Sequence, residues 1–186
     1  TSGALVEIES QAGAPPGRYE DPRRRFTILR PPGWRVRQSP DGSTAFYVDD
    51  PDEGTSFTVL PAASVDGHVS AWDVWRASLE DSRKQYPDMT TLSEQRHTLP
   101  RPRNATTVEV VYTWTNARKE PMRGWGKLSA APADAGDHPT TRIVFVSYQA
   151  PTAAFDAPST TFARMLDSLD VPSTPALDET VKLHGV

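Results

Sequence analysis

The chain has 186 residues, a formal net charge of -4 at pH 7, no cysteine, and five Trp, five Tyr and six Phe residues. This length suits one ordinary globular domain, whose core the large aromatic side chains are expected to anchor. The composition excludes a disulfide framework and cysteine-ligated metal sites. It disfavours a general nucleic-acid binder, which needs a strongly basic face, and it contains no apolar run long enough to span a membrane.

The sequence divides into three parts. Residues 11–18 hold two Pro and two Gly among small residues, a composition that cannot offset its ordering entropy by burial. We therefore predict a flexible N-terminal tether at 1–18, a single folded domain at 19–171 and a polar C-terminal tail at 172–186. The small-residue start resembles a tether from which a signal or lipid anchor has been removed.

Three short runs rich in β-forming residues open the folded domain, at residues 26–30, 45–49 and 56–60. Clusters of Pro, Gly and Asp separate them, which is the pattern of hairpins and predicts antiparallel pairing. The acidic loop at residues 49–54 lacks the alternating oxygen ligands of a calcium-binding loop. We interpret it as a solvated turn, since Asp and Gly permit the backbone angles that a turn requires.

Two apolar stripes predict helices. Ser70, followed three residues later by Asp73, is typical of a helix start, and Pro87 ends that helix. The first stripe consists of Trp72, Trp75, Leu79 and Tyr86, and the second of Phe162, Met165, Leu166 and Leu169. Both stripes repeat with the three- and four-residue spacing of one helix face.

Longer strands are predicted between these helices. Residues 106–115 alternate cleanly between two faces, as expected of a half-buried strand. Residues 142–148 are apolar on both sides, so they should lie in the middle of the sheet with cover on both faces. Residues 122–130 are the expected neighbouring strand.

Two landmarks within this order of elements resemble the PsbP-like family, known from extrinsic lumenal proteins of photosystem II and from bacterial secreted or lipid-anchored proteins. The first is Tyr19-Glu-Asp21 with the strand that runs into the turn Pro32-Gly-Trp34. The second is the last strand, the loop at residues 150–155 and the terminal helix that ends at residues 168–171. Leu169 stands where the family often has Phe.

The resemblance implies an α+β fold, namely an α/β/α sandwich with a central antiparallel sheet of about six strands. It also implies an extracytoplasmic location, secreted or membrane-anchored, and a role as a binding or assembly subunit. It supplies no active site, and we carry over no metal ligand.

Catalytic and cofactor signatures are not found in the sequence. No Ser stands in a Gly-x-Ser-x-Gly elbow, and no glycine-rich loop links a strand to a helix as a phosphate cradle does. Asp134, Asp137 and His138 have side chains that can ligate a cation from one loop, but the same residues are typical of an ordinary polar turn. We predict no catalytic residue, no metal site and no cofactor.

Two surface features are candidates for partner binding. Positive charge is concentrated near the start of the domain, at Arg18, Arg23, Arg24, Arg25, Arg30, Arg35 and Arg37. Such a patch can steer an anionic partner or lie against lipid headgroups, or it can be solvated. Arg123, Trp125 and Lys127 alternate onto one strand face, as a partner hot spot would. The alternative is a Trp packed under a helix, with the Arg and Lys stems covering it.

The leading hypothesis is a non-enzymatic, extracytoplasmic binding or assembly module of the PsbP-like type. Its partner would be a protein or a cell-envelope component rather than nucleic acid, and its speculative partner-binding residues are Arg23, Arg24, Arg25, Arg123, Trp125 and Lys127. A membrane would be involved only through an N-terminal anchor. One alternative is a hydrolase or metal-dependent enzyme on the same scaffold, since fold does not determine function. The other is small-ligand or lipid binding in a cleft between sheet and helix.

Overall fold

The computed structural model describes residues 17–100, 104–135, 138–156 and 159–171. In these residues the chain forms nine β-strands, two α-helices and one short 3-10 turn. The elements in chain order are β1 (Gly17–Glu20), β2 (Thr27–Arg30), β3 (Arg35–Gln38), β4 (Thr44–Tyr47), β5 (Ser56–Asp66), α1 (Ala71–Gln85), β6 (Thr90–Thr98), β7 (Thr106–Thr115), β8 (Pro121–Ala135), β9 (His138–Pro151), the 3-10 turn (Thr152–Ala154) and α2 (Ser159–Ser168).

Seven strands form one antiparallel sheet in the order β3-β4-β5-β9-β8-β7-β6. The apolar strand β9 is the middle strand, as its sequence predicts. β1 and β2 form a separate two-stranded sheet. A bridge between Thr27 and Asp170 joins that sheet to the residues after α2.

Two details of the sheet differ from the sequence-based expectation. The main sheet has seven strands rather than about six. Its two edge strands, β3 and β6, are not among the predicted strands. Most of the β6 side chains are exposed and polar, so they lack the alternation that marks a half-buried strand. The first predicted strand pairs with β1 rather than with β4, and Gly17 and Arg18 of the predicted tether are the first two residues of β1.

Both helix predictions are confirmed. At the start of α1 the Ser70 hydroxyl oxygen accepts a hydrogen bond from the Asp73 N–H at 3.2 Å and donates to the Asp73 carboxylate at 2.6 Å. At its end, the Tyr86 N–H donates to the Ser82 carbonyl at 2.8 Å. Pro87 follows and prevents the helix from continuing.

The helices cover opposite faces of the sheet, which makes an α/β/α sandwich. Successive residues of a strand point to opposite faces, so β9 contributes Ile143 to the α1 side and Val144 and Val146 to the α2 side. The core on the α1 side includes Trp75, Met89, Val110, Tyr112, Trp114 and Leu128. The core on the α2 side includes Phe26, Phe57, Trp125, Tyr148, Met165 and Leu166. The predicted fold class is confirmed.

Candidate functional site

A cleft of about 690 Å³ lies between α1 and the sheet. On the helix side it is lined by Trp75 and by the smaller Val74, Ser78 and Ser82. Its floor is mostly apolar, with Leu60 from β5, Leu128 from β8, and Ile143 and Phe145 from β9, and it also includes Thr58 of β5. The loop between β4 and β5 closes one end with Asp50, Asp52 and Glu53. We call this cavity the α1 cleft.

Aromatic rings form a continuous wall of the α1 cleft. Tyr112 and Trp114 are two residues apart on β7 and therefore share a face. Their rings stack, with centroids 5.4 Å apart and planes inclined by 21°. Trp75 lies 5.2 Å from Tyr112, and Tyr86 lies 6.4 Å from Trp114. Gly124 makes room for this wall, because a Cβ atom there would overlap the Tyr112 ring.

The two tryptophans of this wall have unpartnered donors. Trp75 and Trp114 are only 6% and 4% exposed, and neither indole N–H finds an acceptor among the described residues. A buried donor without a partner carries a desolvation penalty of about 1–3 kcal/mol. Most buried polar groups in native proteins have a partner, so these two enclosed donors are exceptions to the usual pattern.

The acidic loop is held in place by hydrogen bonds. The Asp50 carboxylate accepts the N–H groups of Asp52 and Glu53 at 2.9 and 3.0 Å and pairs with Arg118 at 2.9 Å. Burial alone would raise the pKa of Asp50, but these N–H groups and the nearby cations outweigh it, so the pKa is lowered. Gln149 of β9 ties the same loop to the sheet by donating to the Asp52 carbonyl at 3.1 Å.

Asp52 and Glu53 differ in their partners. Arg37 binds both oxygens of Asp52, at 2.6 and 3.0 Å, and this hydrogen bonding raises the pKa of Arg37. The donors that reach Glu53 are neutral, namely the Tyr86 hydroxyl at 3.3 Å and the Ala117 N–H at 2.8 Å. Burial and the Glu53 charge raise the pKa of Tyr86.

The charge of the α1 cleft therefore has one sign. Three carboxylates line it, and no Lys, Arg or His is among its described lining residues. Arg37 and Arg118 compensate two of the carboxylates from outside the lining. Glu53 remains as an anionic group beside the aromatic wall, because its Tyr86 partner is itself the end of that wall.

Comparison with known proteins bears on the fold. No protein-family model and no curated protein matches the chain. Among solved structures, it is similar to cyanobacterial PsbP (CyanoP) from Synechocystis sp. PCC 6803, with a TM-score of 0.54 over 91% of this chain and 98% of that one. The chain has a PsbP-like fold. The sequence identity is 12%, so the likeness is one of fold alone.

A second solved structure matches the chain less well. A point mutant of the protein Mog1 has a TM-score of 0.46 and 14% identity, over 87% of this chain and 98% of that one. The PsbP-like fold expected from Tyr19-Glu-Asp21, Pro32-Gly-Trp34 and the terminal helix is thus confirmed by the match to cyanobacterial PsbP.

In this PsbP-like fold the predicted arginine patch lies in and around the β1–β2 turn. The Arg25 guanidinium donates to both oxygens of the fully buried Asp21, at 2.8 and 2.9 Å, and to the Gly42 carbonyl at 3.0 Å. Arg24 pairs with Glu20, and Arg23 is exposed. Arg18 and Arg37 of the wider patch also pair with carboxylates. Arg25 and Arg37 are therefore structural cations, whereas Arg18 and Arg24 form exposed pairs that contribute little to stability.

The second predicted feature lies on the α2 side of the sheet, on the face opposite to the α1 cleft. Trp125 is 9% exposed, donates to Glu109 at 2.8 Å, and packs edge-on against Phe162 of α2. Arg123 lies over the Phe155 ring, and burial lowers the pKa of Lys127. This arrangement is the packed alternative that the sequence left open, and the partner-binding role of Arg23, Arg24, Arg25, Arg123, Trp125 and Lys127 stays a prediction.

No group of three or more His, Asp or Glu side chains in the described part of the chain could hold a metal ion. Of the loop considered as a cation site, Asp137 and the side chains of Asp134 and His138 lie outside the described residues. Neither α1 nor α2 is long and apolar enough to cross a membrane.

Sequence reasoning raised a ligand-binding cleft between sheet and helix only as an alternative, and it did not identify the residues that form the α1 cleft. It assigned Trp75 and Trp114 to buried stripes, which is where they lie, but it treated the acidic loop as a solvated turn. The loop is a turn, yet Asp50 and Glu53 are half-buried at the end of the cleft. The one available signal was Gly124 within a strand, since an interior Gly often marks close approach of another group.

Proposed function

We propose that the protein is a non-enzymatic, extracytoplasmic binding module that holds its ligand in the α1 cleft. The observation that carries the proposal is the α1 cleft itself, whose wall includes the contacting rings of Trp75, Tyr112 and Trp114. The cleft volume of about 690 Å³ lies within the range of about 300–1,000 Å³ that is usual for small-molecule sites.

The composition of the cleft supports binding more than catalysis. It combines an apolar and aromatic wall with polar side chains from the acidic loop and from α1, and ligand sites commonly join apolar surface to placed polar groups in this way. Ser78 and Ser82 line it, but no His does among the described residues, so neither hydroxyl has a neighbouring imidazole base. The lowered pKa of Asp50 keeps that carboxyl ionised at neutral pH, which does not suit a general acid.

The extracytoplasmic location rests on the resemblance to the PsbP-like family. Protease digestion of intact cells that express the full-length gene product tests it directly. The protein should be degraded from the outside while a cytoplasmic marker survives, and protection equal to that of the marker would contradict the location.

The binding site can be tested with N-phenyl-1-naphthylamine, a neutral apolar fluorophore. We expect its fluorescence to rise saturably with one equivalent of protein. Ser78→Trp places a large side chain at the cleft and should weaken binding at least about tenfold, a change of 1.4 kcal/mol. The matched control is Ala77→Trp. Ala77 directly precedes Ser78 in α1, is exposed and lies outside the cleft lining, so this variant should bind like the wild type.

Both variants should keep the wild-type circular dichroism spectrum, so that a loss of binding reports the cleft rather than unfolding. Equal binding by Ser78→Trp and Ala77→Trp would contradict the proposal, as would the absence of saturable binding by the wild type.

A further inference from the structure

We infer that the ligand of the α1 cleft is a small amphipathic cation, namely an amine or quaternary ammonium group attached to an elongated apolar body. This inference rests on the proposed function and specifies the ligand class of that site. It follows from the two unlike ends of the cleft, which has the acidic loop at one end and an apolar floor at some distance along the same strands.

The sheet side of the cleft changes from polar to apolar along β5 and β9. Beside the acidic loop, Gln149 of β9 donates to the Asp52 carbonyl at 3.1 Å. Four residues away on β9, Phe145 is the cross-strand partner of Leu60 on β5. Because a strand rises about 3.3 Å per residue, the two positions lie about 13 Å apart. An elongated ligand that follows these strands therefore meets the polar end and the apolar floor in turn.

The apolar floor has surface to offer to a ligand. Leu60, Phe145 and Val74 of the facing helix line the cleft and are only half-buried. Gly126 lets the Phe145 ring lie close to the sheet, because a Cβ atom there would come within 2.9 Å of the ring. The space above these side chains is thus left to the cleft, and covering them with an apolar body removes their surface from water, which is favourable.

The acidic end selects the charge of the ligand. Asp50, Asp52 and Glu53 line it, and no Lys, Arg or His is among the described lining residues. Burial raises the pKa of Tyr86 at this end, and the charges of these three carboxylates raise it further. The potential there is therefore negative, although two of the carboxylates have Arg partners. Fatty acids and nucleotides would be repelled, whereas a cation would be attracted.

Glu53 is the carboxylate that receives the cation. Its donors in the described chain are neutral, namely the Tyr86 hydroxyl at 3.3 Å and the Ala117 N–H at 2.8 Å. A carboxylate offers about four lone-pair sites, so these two donors leave acceptor capacity for an ammonium group. The Tyr86 ring adds cation–π attraction. A bare metal ion would leave the apolar floor uncovered, whereas an organic cation uses both parts of the cleft.

Four probes test both halves of the inference, each titrated calorimetrically into the folded full chain at low ionic strength, where charge effects are least screened. Octylamine, octanol and octanoate share one apolar body and differ in charge, whereas butylamine keeps the cation and shortens the body. Octylamine should bind at least about tenfold tighter than octanoate, with octanol between them, since hydrogen bonds to charged groups contribute effects of this size. It should also bind at least about tenfold tighter than butylamine, which buries fewer methylene groups.

Glu53→Gln removes the charge but keeps a side-chain oxygen that can accept from Tyr86. This variant should reduce the preference for octylamine over octanoate to less than about threefold. Glu80→Gln makes the same chemical change at an exposed position of α1 outside the cleft lining and should leave the preference unchanged. In the wild type, the preference should also fall as salt is added, because screening weakens the attraction, and this measurement does not depend on the folding of a variant.

The outcomes separate this inference from the proposed function. Octanoate binding as tightly as octylamine, or a preference that survives in folded Glu53→Gln or in added salt, overturns the cationic ligand. Butylamine binding as tightly as octylamine overturns the elongated apolar body, and because its carbon chain matches the stem of a Lys side chain, it would favour a Lys of a partner protein instead. In each case the binding cleft itself stands if the fluorophore still distinguishes Ser78→Trp from Ala77→Trp. Failure of both the fluorophore and the amines rejects the proposed function as well.

Discussion

The α2 face and the α1 face of the sheet both bury tryptophan, but they treat the indole N–H differently. On the α2 face, Trp125 donates to Glu109 at 2.8 Å. On the α1 face, Trp75 and Trp114 have no acceptor among the described residues. The α2 face also has two buried unpartnered atoms, the Tyr148 hydroxyl and Arg123 Nε. Burial and the charge of Asp156 raise the pKa of Tyr148.

The difference arises from the side chains that each helix presents to the sheet. α2 inserts Phe162, whose ring lies 4.9 Å from Tyr148 and 5.1 Å from Trp125, and so fills the space above the strands. α1 presents Trp75, but towards the acidic loop it presents the smaller Val74, Ser78 and Ser82 and, at its last residue, the exposed Gln85. Small helix residues over large sheet aromatics leave a cleft, whereas large helix residues close it.

Truncating a side chain on each face should give unequal effects. Met165 is fully buried under α2, so Met165→Ala should lower the free energy of unfolding by about 2–5 kcal/mol. Val74 is half-buried beside the α1 cleft, and Val74→Ala should cost only about 1 kcal/mol because fewer contacts are lost. Urea denaturation measures both, and a larger cost at Val74 would contradict the contrast between a filled and an open face.

Acid should weaken the β1–β2 side of the molecule by protonating Asp21. Burial alone would raise the pKa of Asp21, but hydrogen bonds from Arg25 and from the Arg23 N–H outweigh it, so the pKa lies below its ordinary value of 3.8. A carboxyl with a lowered folded-state pKa stabilises the protein above the unfolded pKa. That stabilisation is lost as the pH falls through the folded-state value.

Asp21→Asn should therefore lower the free energy of unfolding at pH 7 by about 1.5–3 kcal/mol. The gap from the wild type should shrink as the pH falls below the ordinary value of 3.8. Asp167→Asn, on the exposed surface of α2, is the control and should stay within about 0.5 kcal/mol of the wild type. A gap for Asp21→Asn that is unchanged in acid would show that the carboxylate charge is not what stabilises this region.

Filling the α1 cleft should stabilise the protein at the expense of binding. Ser82 is half-buried and lines the cleft, so Ser82→Leu should raise the free energy of unfolding by about 0.5–2 kcal/mol, as cavity-filling changes commonly do. The same variant should bind N-phenyl-1-naphthylamine more weakly, whereas Glu80→Leu on the exposed side of α1 should not. Stabilisation with unchanged binding would place the ligand elsewhere.

The elements that the sequence predicted well have a clear period. The alternation of β7, the double-sided apolar run of β9 and the stripes of α1 and α2 each follow from local spacing, because burial repeats every two or every three to four residues. β3 and β6 are edge strands with largely polar sequences, and an exposed edge leaves no such period to detect. The pairing of β2 with β1 depended on residues assigned to the tether.

The sequence suggested a cleft between sheet and helix as an alternative, but the residues of the α1 cleft could not be identified because they lie far apart in the chain. The acidic loop is brought to its end by Arg37, Arg118 and Gln149, and none of these contacts follows from local composition. Likewise, the sequence identified Trp125 as a candidate hot spot, but its burial depends on Phe162, which lies 37 residues later in the chain.

The most direct test of the account compares the three buried indoles in one experiment. Two-dimensional 1H–15N spectra, with the indole resonances assigned by single Trp→Phe variants, can be recorded while N-phenyl-1-naphthylamine is added. The account predicts that the Trp75 and Trp114 indole resonances shift saturably while that of Trp125 stays in place. Shifts confined to Trp125, or equal shifts of all three indoles, would contradict a binding site on the α1 face.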